Sequence, residues 1–289
     1  MKLNFRYYLI LGVVLLNSCS DDFLKISPET NLTDAAFFKT ESHFNLALVG
    51  AYESLRGLVH PGLYMDEMRA DNTFFRYYAP DRGPANWVED IIQWTDQSQT
   101  TAVNERYYIN YSGISRTNAI LSRIENADIN DEAKKSILGE TLFLRAFYYF
   151  DLVTHYGGVP LYLEEVLDEQ SSYKPRATAE EVYSQIISDL QSAISNLPVA
   201  TTFPQSGRAT QGAAKMLLAK AYMSKPTRDY TLAESELRDV LNMNYGLLDN
   251  YADVFEPANK NHKESIFDIQ FKEGDDGQQN FYIYHGFSR

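Results

Sequence analysis

The chain has 289 residues and a mass of 33.1 kDa, 44% hydrophobic and 22% charged, enough for one large domain or two small ones with a real core. That apolar share excludes a disordered chain, and 15 Gly with 10 Pro exclude a collagen-like or linker-dominated one. One cysteine excludes a disulfide scaffold and a thiolate zinc site, and a net charge of −13 speaks against recognition of a nucleic-acid backbone.

The first residues read as a leader rather than as part of the fold. Lys2 and Arg6 form a positive start, residues 7–16 an apolar run too short to span a bilayer, and Asn17-Ser18-Cys19 places the lone cysteine behind a small residue. This order resembles a bacterial lipoprotein box, which predicts a signal peptide over 1–18, lipidation of Cys19 and a mature domain over 19–289. Several acyl chains hold a protein stably, at about 0.8 kcal/mol per buried CH₂, without a spanning helix. Removing 1–18 takes away Lys2 and Arg6 and no acid, so the net charge goes from −13 to −15 and the body is repelled by anionic lipid heads.

From there the periodicity is overwhelmingly helical. Thr40 can cap a helix with Phe44, Leu48, Ala51, Tyr52 and Leu55 on one face, closed at Gly57. Residues 60–98, with Pro61, Pro80, Pro84 and both tryptophans, read as a long loop holding short helical pieces. A second helix carries Tyr107, Tyr111, Ile114, Asn118 and Leu121 in one stripe. Asn130 or Asp131 caps a long helix to His155, whose two stripes, Leu138, Leu142, Ala146, Tyr149 and Val153 beside Phe143, Phe147 and Phe150, require burial on more than one side. Thr178 and Glu181 form a capping box for a helix ended by Pro198. Thr210 starts the next helix, which stops before Pro226, and Asp229 starts another that ends near Gly246. Only 266–271 alternates as a strand, with Phe267, Ile269 and Phe271 facing one way.

The fold expected is therefore all-α in the main, with irregular tetratricopeptide-like helix pairs, long loops and a little β near the C-terminus. The pairing signal is clearest in Leu218-Ala219-Lys220-Ala221-Tyr222 followed by Asp229, Tyr230 and Ala233, although the spacing from 178 to 230 exceeds the roughly 34 residues of a strict repeat.

Several stretches together resemble the SusD/RagB outer-membrane lipoproteins. They are the lipoprotein box with Ser20-Asp21-Asp22-Phe23-Leu24, residues 111–121 (YSGISRTNAIL), residues 140–161 (ETLFLRAFYYFDLVTHYGGVPL), Arg208-Ala209-Thr210 with the alanine-rich run after it, and residues 251–271. The resemblance runs in order over nearly the whole mature chain. It implies a lipid-anchored, surface-exposed outer-membrane protein that captures glycans or other large nutrients for a TonB-dependent, SusC-like transporter. It implies no catalysis and no cofactor. Members usually continue further, so the domain over 19–289 is expected to be incomplete at its C-terminus.

The residues agree on the absence of enzymatic motifs. The five histidines show no metal-binding spacing, His155 suits the carbonyl end of its helix, Asp275-Asp276-Gly277 suits a turn, and residues 128–132 suit helix capping. Asn118 is expected to pair with loop backbone and Arg145 with a buried carboxylate. For ligand contact the informative stretch is 71–94. A sugar ring offers an apolar face that Tyr77, Trp87 and Trp94 could cover and hydroxyls that Asn72 and Arg76 could bond. The resemblance does not fix these five positions. A scaffold that binds proteins or peptides within an import complex is the alternative, and an anchored glycoside hydrolase a third reading.

Overall fold

The computed structural model describes residues 37–70 and 86–271. Contacts divide the chain into two units, 1–39 and 40–289. Of the first, only 37–39 are described, where the Phe37 and Phe38 rings meet edge to face at 4.8 Å. Cys19 and the leader lie outside the described residues, as do Asn72, Arg76, Tyr77 and the Asp275-Asp276-Gly277 turn.

The second unit is built from helices. They are α1 (Glu41–Gly62), which runs into a π-helical turn (Leu63–Glu67), then α2 (Trp87–Ile92), α3 (Thr101–Ile124), α4 (Asp131–Tyr156), a single turn α5 (Glu169–Ser172), α6 (Ala179–Asn196), α7 (Gln211–Ser224) and α8 (Tyr230–Leu241). A 3₁₀ turn (Tyr251–Phe255) follows. The caps are the expected ones, because capping is decided by a side chain within three residues of the amides it serves. Thr40, Asn130, Thr210 and Asp229 each accept a hydrogen bond from an orphan amide of the helix they start. Thr178 and Glu181 close a reciprocal capping box on α6.

These helices form three antiparallel-type hairpins, α1 with α3, α4 with α6, and α7 with α8. Successive hairpins join through α3–α4 and α6–α7, and the first helix of each pair also touches the first helix of the next. That is the stacking of a tetratricopeptide array, with long insertions inside the first two pairs, between α1 and α3 and between α4 and α6. The core centres on α4, where Phe143, Leu144, Tyr148, Tyr149 and Leu152 are almost wholly buried. Each such side chain contributes about 1.5–3 kcal/mol relative to exposure. Asn118 and Arg145 take the expected places. Asn118 Nδ2 donates to the Tyr162 and Glu164 carbonyls at 2.8 and 3.1 Å, and Arg145 forms a fork on Asp189 at 2.8 and 2.7 Å.

Three expectations are corrected. First, α1 does not end at Gly57 but continues through Pro61 to Gly62. Gly57 marks a close approach instead, since a Cβ there would stand 3.1 Å from the Ile109 side chain. Second, the buried line of α3 is not the tyrosine stripe. Ile114 and Asn118 are buried as expected, but the line runs through Ala102, Arg106, Asn110, Gly113, Thr117, Ile120 and Ile124, while Tyr107, Tyr111 and Leu121 sit at its margin. The polar members are tolerated because each finds a partner: Arg106 on Asp151, Asn110 on Asp151 and Thr117 on the Ile114 carbonyl. Third, 266–271 forms no strand and pairs with none among the described residues. Phe267 is held by aromatic packing, 5.0 Å from the Phe143 ring and 6.3 Å from Phe147.

Candidate functional site

The end of α1, the π-helical turn and α2 meet the first turn of α3 in a small aromatic corner. Met65, Ile91 and Ala102 form its buried floor, with Tyr64, Trp87, Val103 and Tyr156 packed around them. Trp87 stands edge to face with Tyr64 at 4.7 Å and is half-buried, so one of the two expected tryptophan platforms is mainly a wall. Burial raises the Tyr64 hydroxyl above its ordinary pKa.

Trp94 is arranged differently. α2 ends with the Trp94 amide donating to the Ile91 carbonyl at 3.3 Å and the Thr95 amide to the Asp90 carbonyl at 2.9 Å. This is the Schellman pattern, and the position it forces into left-handed backbone is Trp94, at φ +60°. Glycine takes that place in most helices, because a side chain there costs roughly 1–2 kcal/mol. The indole is nonetheless 69% exposed, so burial does not repay the strain. What steadies the ring is Arg69, whose guanidinium carbon lies 5.0 Å from its centroid and which is itself tied to Asp96 at 2.5 Å. Packing therefore does not account for a bulky residue held here in strained backbone and displayed on the surface.

Beneath the corner a charged network fixes the π-helical turn. Asp66 Oδ1 accepts from Arg106 at 2.9 Å and lies 2.8 Å from His155 Nε2, while Arg106, 5% exposed, also forks onto Asp151 at 2.9 and 2.5 Å. Burial pushes the Asp66 carboxyl up, but hydrogen bonds from His155 and Arg106 outweigh it and hold the carboxyl below its ordinary range. His155 therefore does more than face the helix dipole: it links the end of α4 to the turn that carries the corner.

Of the five expected contact residues, Trp87 and Trp94 share this corner, and Asn72, Arg76 and Tyr77 lie outside the described residues. Tyr64, Arg69 and Asp96 escaped sequence reading, since nothing in the chain order brings Arg69 to Trp94. Among the described residues no cluster of three or more His, Cys, Asp or Glu could hold a metal ion, and no helix is long and apolar enough to cross a membrane.

Comparison with known proteins identifies relatives of the chain and of its fold. A SusD-like family model, described as starch-binding and associating with the outer membrane, matches residues 22–223. A SusD-like protein of Formosa agariphila is 29% identical over 283 residues, covering 93% of this chain and 53% of that protein. Among solved structures, NanU of B. fragilis superposes with a TM-score of 0.75 at 26% identity, covering 89% of this chain and 53% of the other. A laminarin-binding SusD-like protein gives 0.68 at 27% identity, covering 79% and 51%. The chain thus spans about half the length of the relatives it matches. With the matched region covering most of the three helical hairpins, the chain belongs to the SusD-like family.

Proposed function

We propose that this chain is the helical part of a lipid-anchored, surface-exposed glycan-binding protein of the outer membrane. It would hold a polysaccharide for a TonB-dependent, SusC-like transporter and catalyse nothing. Trp94 carries the reading: a flat, exposed indole in a backbone conformation that would be cheaper with glycine. An indole face covers the C–H face of a pyranose, and Trp87 with Asn72, Arg76 and Tyr77 would supply further contacts. The family's starch-binding description and the laminarin-binding relative support the ligand class. The lipoprotein box ending at Cys19 supports the anchor, and tethering would raise the local concentration of substrate at the pore mouth.

The test is affinity electrophoresis of the intact chain through gels containing starch or laminarin, with Trp94→Gly as the comparison. The wild type is retarded and the variant migrates freely, although glycine relieves the strain and the thermal midpoint does not fall. No retardation in either gel, or equal retardation of the variant, rejects the site. Recovery of a transporter from solubilised membranes without glycan affinity points to the scaffold instead. Lipid labelling of Cys19→Ala checks the anchor, which equal incorporation would disprove.

A further inference from the structure

A second feature of α3 lies away from the Trp94 corner. From Ala102, beside that corner, to Ser115 is 13 residues of helix, about 20 Å. At Ser115 there is a pocket of about 160 Å³ between α3 and the loop that joins α4 to α5. Tyr111 and Tyr162 meet at right angles there, 5.8 Å between centroids, and Ile114 and Val166 complete the apolar walls. Ser115 and Glu164 supply polar groups at the mouth. The Ser115 and Glu164 side chains are exposed at that mouth, whereas the Tyr111, Tyr162 and Ser172 hydroxyls and the Asn118 amide are bonded within the protein.

The loop is also held rigid. Tyr111 donates to the Pro160 carbonyl at 2.8 Å, Tyr149 to the Tyr162 carbonyl at 2.9 Å, and Arg145 to the Leu163 carbonyl at 3.0 Å. Arg123 pairs with Glu165 at 2.6 Å, and the Tyr162 hydroxyl reaches the Ser172 carbonyl at 2.5 Å. The pocket is therefore formed before any ligand arrives, which lowers the ordering cost of binding.

We propose that this pocket is a second saccharide subsite, which takes one pyranose unit of a neutral hexose oligosaccharide. The apolar face of the ring lies on the tyrosines, the Glu164 carboxylate accepts from adjacent hydroxyls, and Ser115 donates to or accepts from a third. A carboxylate that accepts two sugar hydroxyls selects neutral sugars and repels uronic acids. The inference rests on the glycan-binding reading, but it concerns residues that the Trp94 corner does not use.

Hydrogen exchange of the intact chain, with and without maltohexaose or laminarihexaose, separates the two. Ligand slows exchange in peptides covering 111–118 and 160–172, and this protection persists in Trp94→Gly. It disappears in Ser115→Trp, which fills the mouth from an exposed helix position. Glu164→Ala, on the loop surface, needs about tenfold more sugar for the same protection, and an uronic acid oligomer protects neither segment. Protection confined to 86–96, or protection of 160–172 that both Ser115→Trp and Glu164→Ala leave intact, overturns the subsite and spares the Trp94 reading. Protection nowhere removes both.

Discussion

Arg145 ties three helices and a loop together. It bridges α4 to Asp189 on α6, to Asn118 Oδ1 on α3 at 3.1 Å and to the Leu163 carbonyl, all at 8% side-chain exposure or less for the ion pair. Arg145→Ala leaves the buried Asp189 carboxylate without a counter-charge, held only by the Gln185 amide, and orphans two further acceptors, and is expected to cost about 3–5 kcal/mol in urea unfolding. Arg145→Met combined with Asp189→Leu recovers most of the loss, because the buried charge goes with its partner. Asp66 makes a pH-dependent contribution. Its carboxyl is held below the ordinary value near 3.8, so its contribution is complete above that value and is lost as pH falls through the lower folded value. The stability gap between wild type and Asp66→Asn is thus wide at pH 7 and narrows below pH ~4, which chemical denaturation at the two pH values measures.

Among the helices, α3 and α4 approach closely at Gly113. Gly113 faces the Tyr148 ring, a Cβ there would run into it, and the Tyr148 hydroxyl is fixed on the Ala51 carbonyl of α1 at 2.5 Å. The ring cannot move without breaking that bond, so three helices are locked at one point. Gly113→Ala, normally favourable within a helix, should here destabilise by about 1–3 kcal/mol through overpacking, read as a lower urea midpoint with an unchanged slope. Gly57 opposite Ile109 does the same for α1 and α3 more gently.

Across the three hairpins, the extensive helix contacts run between neighbours in the stack, so stability is largely local and transmitted through interfaces. The last pair has the thinnest core, with Ala233 and Val240 alone buried on α8. Ala233→Asp is expected to abolish exchange protection across 211–241 while α1, α3 and α4 keep theirs. Loss of protection throughout would show instead that the array folds as one cooperative unit. Stacking also explains the candidate site: insertions within the first two hairpins, between α1 and α3 and between α4 and α6, carry the aromatic corner and the tyrosine pocket, while the helices supply a rigid floor.

Much of this was written locally in the chain. Thr40, Asn130, Thr178, Thr210 and Asp229 declare their helices because a cap and its amides lie within one turn. Asn118 declares itself by standing in an apolar stripe, and Arg145 by lying inside the most apolar helix. Tertiary structure alone decided their partners, the face of α3 that turns inward, and the role of Gly57. Periodicity assigns Arg106, Asn110 and Thr117 to solvent, yet carboxylates and carbonyls brought from elsewhere in the fold make them core residues. It likewise cannot foresee that the backbone bonds ending α2 place Trp94 in left-handed geometry, or that Arg69 arrives beneath its ring. Propensity is summed over neighbours in sequence, whereas burial and strain are settled by neighbours in space.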